Sequence, residues 1–168
     1  MNSKQVVTSK TYFKTINILF LALVAGQVAF AIVLLFLNQT KRSVDMITPE
    51  IHQTLIWVVP AIAVAGIALG WIVFNARLKS LQMKDNLSEK LRSYQSIMIV
   101  RYALMEGPSL LALTIFYITG NYIFVGIAAF IVVMFLFNRP SKTAIIRHLQ
   151  LHDDEKLLLE DPEAVVYE

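Results

Sequence analysis

Residues 97–118 read IMIVRYALMEGPSLLALTIFYI, and only Arg101 and Glu106 interrupt an otherwise uncharged run. A helix needs about 20 apolar residues to cross the hydrocarbon core of a bilayer, and this stretch is long enough. Whether it is a membrane helix or the buried helix of a water-soluble domain decides the fold, and its surroundings answer the question. Ile16–Leu37 and Leu55–Phe74 are blocks of similar length with no charge inside them, and Tyr122–Phe137 is a shorter fourth block. All four are continuously apolar rather than alternating. That pattern predicts helices and not the strands of a barrel, the other structure that satisfies its backbone in lipid.

Bulk composition agrees. The chain of 168 residues is 57% hydrophobic, and its mean hydropathy is +0.61. These features predict an all-α, polytopic membrane protein: a four-helix transmembrane bundle in residues 1–138, then a short helical tail in 139–168. There is no cysteine, which excludes disulfide scaffolds, thiol catalysis and thiolate-held metals. The net charge of +3 is segregated, and no basic run interleaves with aromatics, so nucleic acid is not an expected partner. The first block has a basic flank and an Ala29–Phe30–Ala31 sequence that resembles a signal-peptide cleavage site. It continues apolar to Leu37, however, and reads as a retained helix.

Lysine and arginine placement predicts orientation. Lys4, Lys10 and Lys14 precede the first block; Arg77, Lys79, Lys84, Lys90 and Arg92 lie in 75–96; Arg139, Lys142 and Arg147 open the tail. Both termini and the 75–96 connection are therefore expected in the cytoplasm, in a multi-pass protein of the cell (inner) membrane. Lys41 and Arg42, in the connection 38–54, run against this assignment. The 75–96 connection has neither proline nor glycine, so the flanking helices should extend into it, with Asn86 or Ser88 as a cap. Its leucines, Leu78, Leu81, Leu87 and Leu91, either pack together or line the membrane interface. Thr119–Gly120–Asn121 predicts a tight turn, because glycine and asparagine accept positive φ. In the tail, Ser141 marks one helix start, and Asp153–Asp154–Glu155 marks a second, with the acids suited to the helix N-terminus. Asp161–Pro162 ends it.

Glu106 is the sharpest feature. It lies near the middle of its block, where an ionised carboxylate costs on the order of 3 kcal/mol. The neutral acid still needs hydrogen-bond partners. Tyr102, one turn back, shares its face. Gln27 is a second candidate: sliding the chain by 81 positions lays Ile16 on Ile97, Ala22 on Ala103 and Gly26 on Gly107, an echo of a duplicated hairpin that would bring Gln27 close to the acid. Two readings stay open. Glu106 is a proton or cation site, with Tyr102 and Gln27 as ion-binding candidates, or it is a protonated acid that joins two helices. Gly107 and Pro108 predict a kink beside it, since proline removes a donor and frees a carbonyl about a turn earlier. Ala61, Ala65, Gly66 and Gly70 form a small-residue surface for helix packing. Arg101 reads as an anchor reaching the membrane surface, and Trp57, Trp71, Tyr117 and Tyr122 as interfacial residues. His148 and His152 have metal-ligand spacing, but the HLQLH sequence lacks a catalytic glutamate between them, and no metal or cofactor is expected. With no phosphate loop or nucleophile elbow, the chain is not read as an enzyme. Its expected partners are the bilayer, a protein met through the tail, or further copies of itself. The alternative function is that of a non-catalytic scaffold or accessory subunit.

The segment ALMEGPSLLAL, with the small-residue helix before it, resembles the hairpin of rotary ATPase c subunits (proteolipids). The resemblance covers about Pro60 to Ile118. It implies Glu106 as an ion site and Ala61 to Gly70 as an inner packing helix. The longer middle loop, alanine in place of most glycines, and the two extra helices depart from that family. Over nearly its full length the chain is similar to small four-helix bacterial membrane proteins of unassigned function, through its ALMEGP, NRPSK and PEAVVYE segments. That resemblance implies a place in the membrane and no activity.

Overall fold

A computed structural model describes residues 6–40 and 48–167. Lys4, Lys41 and Arg42, used above for orientation, lie outside them. The order of elements is β1 (Val7–Thr8), α1 (Ser9–Thr40), α2 (Pro49–Gln82), α3 (Leu87–Thr119), α4 (Ile123–Phe137), α5 (Lys142–Leu149), α6 (Asp153–Glu160) and β2 (Val165–Tyr167). Among the described residues the fold is all-helical apart from one two-stranded pairing. Helices α1, α2 and α3 are long and apolar enough to cross a membrane, and the number rises to four if α4 and α5 count as one broken span. The helices outrun the apolar blocks because hydropathy marks the part suited to oil, whereas caps and breakers mark where a helix ends.

The chain divides into two compact units. One draws on residues up to Leu21, on Ile72–Val100 and on the chain from Arg139; the other consists of Ala22–Trp71 and Arg101–Asn138.

In the first unit, the end of α2 and the start of α3 meet around a short break at 83–86, where the Asn86 side chain accepts from the Ser88 N–H at 3.0 Å. Leu81, Leu87 and Leu91 are buried. Three of the four leucines are thus in the core of this unit, and Leu78 is half-buried. The tail packs here. Ser141 caps α5, its hydroxyl accepting from Ala144 N at 3.2 Å. A left-handed Gln150 (φ 49°) ends that helix. Glu155 accepts from the His152 N–H at 3.0 Å and closes the first turn of α6. The chain then returns to the N-terminus: β2 pairs antiparallel with β1, Val7 opposite Tyr167 and Thr8 opposite Val165. The first N–H groups of a helix have no partner within it. Those of Ser9 and Lys10 donate to Ala164 O (2.9 Å) and Pro162 O (3.1 Å). The Ser9 hydroxyl donates to Leu159 O at 2.6 Å. This closure was not expected from the sequence, since two- and three-residue strands carry no periodicity to read.

In the second unit, Leu34, Val59, Ala112, Leu113, Phe116, Phe124 and Ala128 form one buried cluster that draws on all four helices. Helix α3 ends at Gly120, whose φ of +69° suits a residue without Cβ. Asn121 opens α4 by accepting from Ile123 N at 3.0 Å. Large apolar side chains point away from the core: Phe36, Trp57, Val64, Trp71 and Phe137 are all more than 60% exposed.

Candidate functional site

The site is built on the second unit, and its frame is the approach of α2 to α3. Gly66 and Gly70 are buried against α3, whereas Ala61 and Ala65 are exposed. A Cβ at position 66 would stand 2.6 Å from Pro108 Cγ and 2.7 Å from the Leu104 carbonyl oxygen; one at 70 would stand 3.4 Å from the Arg101 carbonyl. The close approach therefore belongs to the two glycines, and the two alanines of the small-residue surface have no part in it. Pro108 lacks the N–H that would serve the Leu104 carbonyl. That carbonyl lies instead against the bare backbone of Gly66, whose C–H groups can face an oxygen that no side chain keeps at a distance. Helix α3 runs through Gly107–Pro108 as one element. Gly107 is exposed, and a Cβ there would meet nothing within 4 Å.

Gly66 meets Leu104 and Pro108 while Gly70 meets Arg101, so α2 and α3 are antiparallel. Leu34 and Val59, on either side of the first connection, share one core cluster. Helices α1 and α3 thus point the same way, and Leu34 packs in the cluster that holds Ala112, Leu113 and Phe116. Seven residues, about two helical turns, lead back from Leu34 to Gln27, and the same step leads from Ala112–Phe116 to Met105–Ser109. Gln27 is therefore level with Glu106 to within about a turn.

At this level two buried polar side chains lack partners among the described residues. Gln27 is fully buried, and neither its amide nitrogen nor its amide oxygen has a hydrogen-bond partner; Ser109 is fully buried, and its hydroxyl has none. Glu106, at the same level, is half-buried. Glu106, Ser109 and Leu113 lie three, four and seven residues apart, on one face of α3, and Leu113 belongs to the cluster that contains Leu34. Tyr102 is fully buried on the same face, but its hydroxyl donates to Asn138 O at 3.0 Å, and its ring stacks on Phe135 at 4.9 Å. Of the three ion-binding candidates, Gln27 and Glu106 share a level, while the Tyr102 hydroxyl serves the end of α4. Ser109 was not singled out from the sequence. The available signal was its place three residues after Glu106, in the turn that Pro108 disturbs.

Arg101 donates to the Asn138 side-chain oxygen, which ties the start of this part of α3 to the end of α4. Asn138 in turn donates to Met134 O at 2.7 Å. Trp57, Trp71 and Tyr122 are exposed, and Tyr117 is half-buried.

In the first unit the buried side chains of Ser9 and Lys90 are both engaged. Ser9 serves the Leu159 carbonyl, as above. Lys90, 4% exposed, holds both carboxylate oxygens of Glu155 at 2.8 and 3.0 Å. Tyr12 donates to Leu91 O at 3.0 Å. His148 shares a 2.9 Å hydrogen bond between its Nδ1 and the Tyr94 hydroxyl, sets its ring edge to Phe74 at 5.2 Å, and accepts at its backbone carbonyl from Gln82 at 2.8 Å. His152 is exposed at the start of α6. The two histidines of the HLQLH pair thus have separate roles, one half-buried against Tyr94 and Phe74 and one at a helix end. The hydrogen bond that Lys156 donates to Asp153 (2.7 Å), with its charge, holds the Asp153 carboxyl below the usual range.

The chain matches no family model, no curated protein and no solved structure.

Proposed function

We propose that this is an integral membrane protein of four spans, with both termini and the 75–96 connection on the cytoplasmic side, that handles a proton or small cation at Glu106. The membrane reading is supported by the three long apolar helices and by the large apolar side chains exposed along α1, α2 and α4. The single observation that carries the functional reading is the presence of two fully buried polar side chains, Gln27 and Ser109, with no hydrogen-bond partner among the described residues, level with a half-buried acid. A buried donor or acceptor without a partner costs about 1–3 kcal/mol. An amide oxygen, a hydroxyl oxygen and a carboxyl group are hard ligands, suited to a proton or an alkali or alkaline-earth cation. No hydrogen bond joins Glu106 to either side chain in the structure; protonation would turn Glu106 into a donor, and a bound cation would draw the three groups together as ligands.

The test is labelling by a lipid-soluble carbodiimide, read by mass spectrometry of the peptide that contains position 106. Labelling at Glu106 that slows as sodium is added supports a cation site; labelling that depends on pH alone supports a proton site. Glu106→Gln should abolish the labelling and any ion-dependent flux in proteoliposomes while the helix content is kept. Identical flux from both proteins, with Glu106 unlabelled, would end this reading.

A second reading, that of an accessory subunit met through the tail, draws on Leu157 and Leu158. They are 66% and 45% exposed on α6, outside any apolar block. Deleting the chain after Ser141 should then lose a co-purifying protein, while Glu106→Gln keeps it.

A further inference from the structure

An open apolar groove runs between α2 and α4 within the second unit. Its larger part, about 440 Å³, is walled by Val64, Ile67 and Trp71 on one side and by Phe130 and Met134 on the other, with Met105 of α3 as its floor. A second part, about 360 Å³, shares Val64, Ile67 and Phe130 with the first and continues to Pro60 and Ile123. The two adjoin along the helices through these shared residues. Its polarity is one-ended. Arg101 is the one charged side chain among the residues that line it, and Arg101 and Asn138 lie together at the end marked by Trp71, bonded to each other. The Pro60–Ile123 end has no charged lining residue.

An apolar slot with a cation at one end has the pattern of an anionic amphiphile. We infer that the groove between α2 and α4 binds one anionic phospholipid, its acyl chain laid along Ile67 and Phe130 and its phosphate at the Arg101 guanidinium. Arginine carries a permanent charge and several donors in a fork that fits phosphate oxygens. Basic positions between membrane helices are known places for acidic headgroups. The Asn138 bond holds the guanidinium at the mouth, and Trp71 stands where an indole meets the headgroup layer. Charge complementarity favours a lipid over a second copy of the chain. The apolar blocks of α1, α2 and α4 would bring no acid to the groove from a second copy, and the acid of α3 is half-buried in its own unit. The inference rests on the membrane reading proposed above and is independent of any role for Glu106.

Two variants test it. Arg101→Gln removes the charge. Gly126→Leu narrows the groove, since Gly126 lines it and a Cβ there meets nothing within 4 Å. Vesicle flotation first establishes that each protein is in the membrane; failure there is failure of the membrane reading. The detergent-purified, full-length protein is then incubated with dioleoyl phosphatidylglycerol, dioleoyl phosphatidylcholine or oleate, and retained ligand is counted by native mass spectrometry. Wild type should retain one phosphatidylglycerol at least about tenfold better than phosphatidylcholine, or about 1.4 kcal/mol, because the two share the phosphate but the choline cation cancels the net charge and repels Arg101. Arg101→Gln should erase that preference, Gly126→Leu should lose both lipids, and Glu106→Gln should change neither. Absence of headgroup preference in wild type overturns the inference, whether or not Arg101→Gln folds. Oleate retained in place of phosphatidylglycerol transfers the site to free fatty acids and overturns it as well. So does a lipid-free dimer that Gly126→Leu dissociates.

Discussion

Among the described residues two buried polar side chains lie in each unit, and they are treated in opposite ways. In the first unit the Ser9 hydroxyl donates to a backbone carbonyl, and Lys90 is held by both oxygens of Glu155. In the second, Gln27 and Ser109 are as deeply buried and bond to nothing among the described residues. A satisfied buried group fixes one arrangement of its neighbours, while an unsatisfied one leaves capacity for a ligand. The first unit's buried polar groups serve its architecture; those of the second are the groups on which the proposed ion site rests.

The largest expected effect breaks the architecture. Lys90→Met strands the Glu155 carboxylate and should cost about 3–5 kcal/mol, as should Glu155→Leu alone. The double variant should recover most of that loss. Thermal unfolding followed by circular dichroism in detergent measures it, and additive losses would show that the pair is not coupled. Next comes the frame of the site. Gly66→Ala drives a methyl group into the Leu104 carbonyl and the Pro108 ring and should cost about 1–3 kcal/mol. Gly107→Ala, with open space around it, should cost none of this, and equal losses at the two positions would deny the close approach of α2 and α3.

The same substitution made in both units sharpens the contrast. Ser9→Ala removes a made hydrogen bond and should cost about 0.5–1.5 kcal/mol. Ser109→Ala removes an unmade one and should leave stability unchanged or raise it. A loss at both positions would mean that Ser109 has a partner after all. The smallest effect concerns Asp153. Its folded pKa lies below the ordinary value because Lys156 bonds and faces it. Its contribution is therefore complete above the ordinary aspartate range and is lost as pH falls through the depressed value. Asp153→Asn should lower the melting temperature slightly at neutral pH and leave it unchanged in acid. A difference that persists in acid would assign the effect to helix capping rather than to charge.

Much of the scaffold was legible in the residues. Apolar runs located the three long helices, Asn86 and Ser141 marked helix starts, and Gly120 marked the turn, because each of these is a local property of a few neighbouring residues. The candidate site was legible only in part. Glu106 and Gln27 stand out as polar letters in apolar text. Ser109 does not, since serine is common in membrane helices and its burial depends on which way α3 is turned. Tyr102 was placed on the right face, but the direction of its hydroxyl depends on where α4 ends. Ala61 and Ala65 look like Gly66 and Gly70 in a small-residue pattern, and only the angle at which α3 approaches separates them.

From the amino-acid sequence alone came the helical class, the apolar spans and the single acid among them, since these follow from hydropathy and chain length. Tertiary structure alone decided that Lys90 meets Glu155, that the chain's last strand pairs beside its first helix, and that Ser109 is buried without a partner among the described residues. Those are relations between residues tens of positions apart. No local propensity encodes them, because they arise only when whole helices bury their faces against one another.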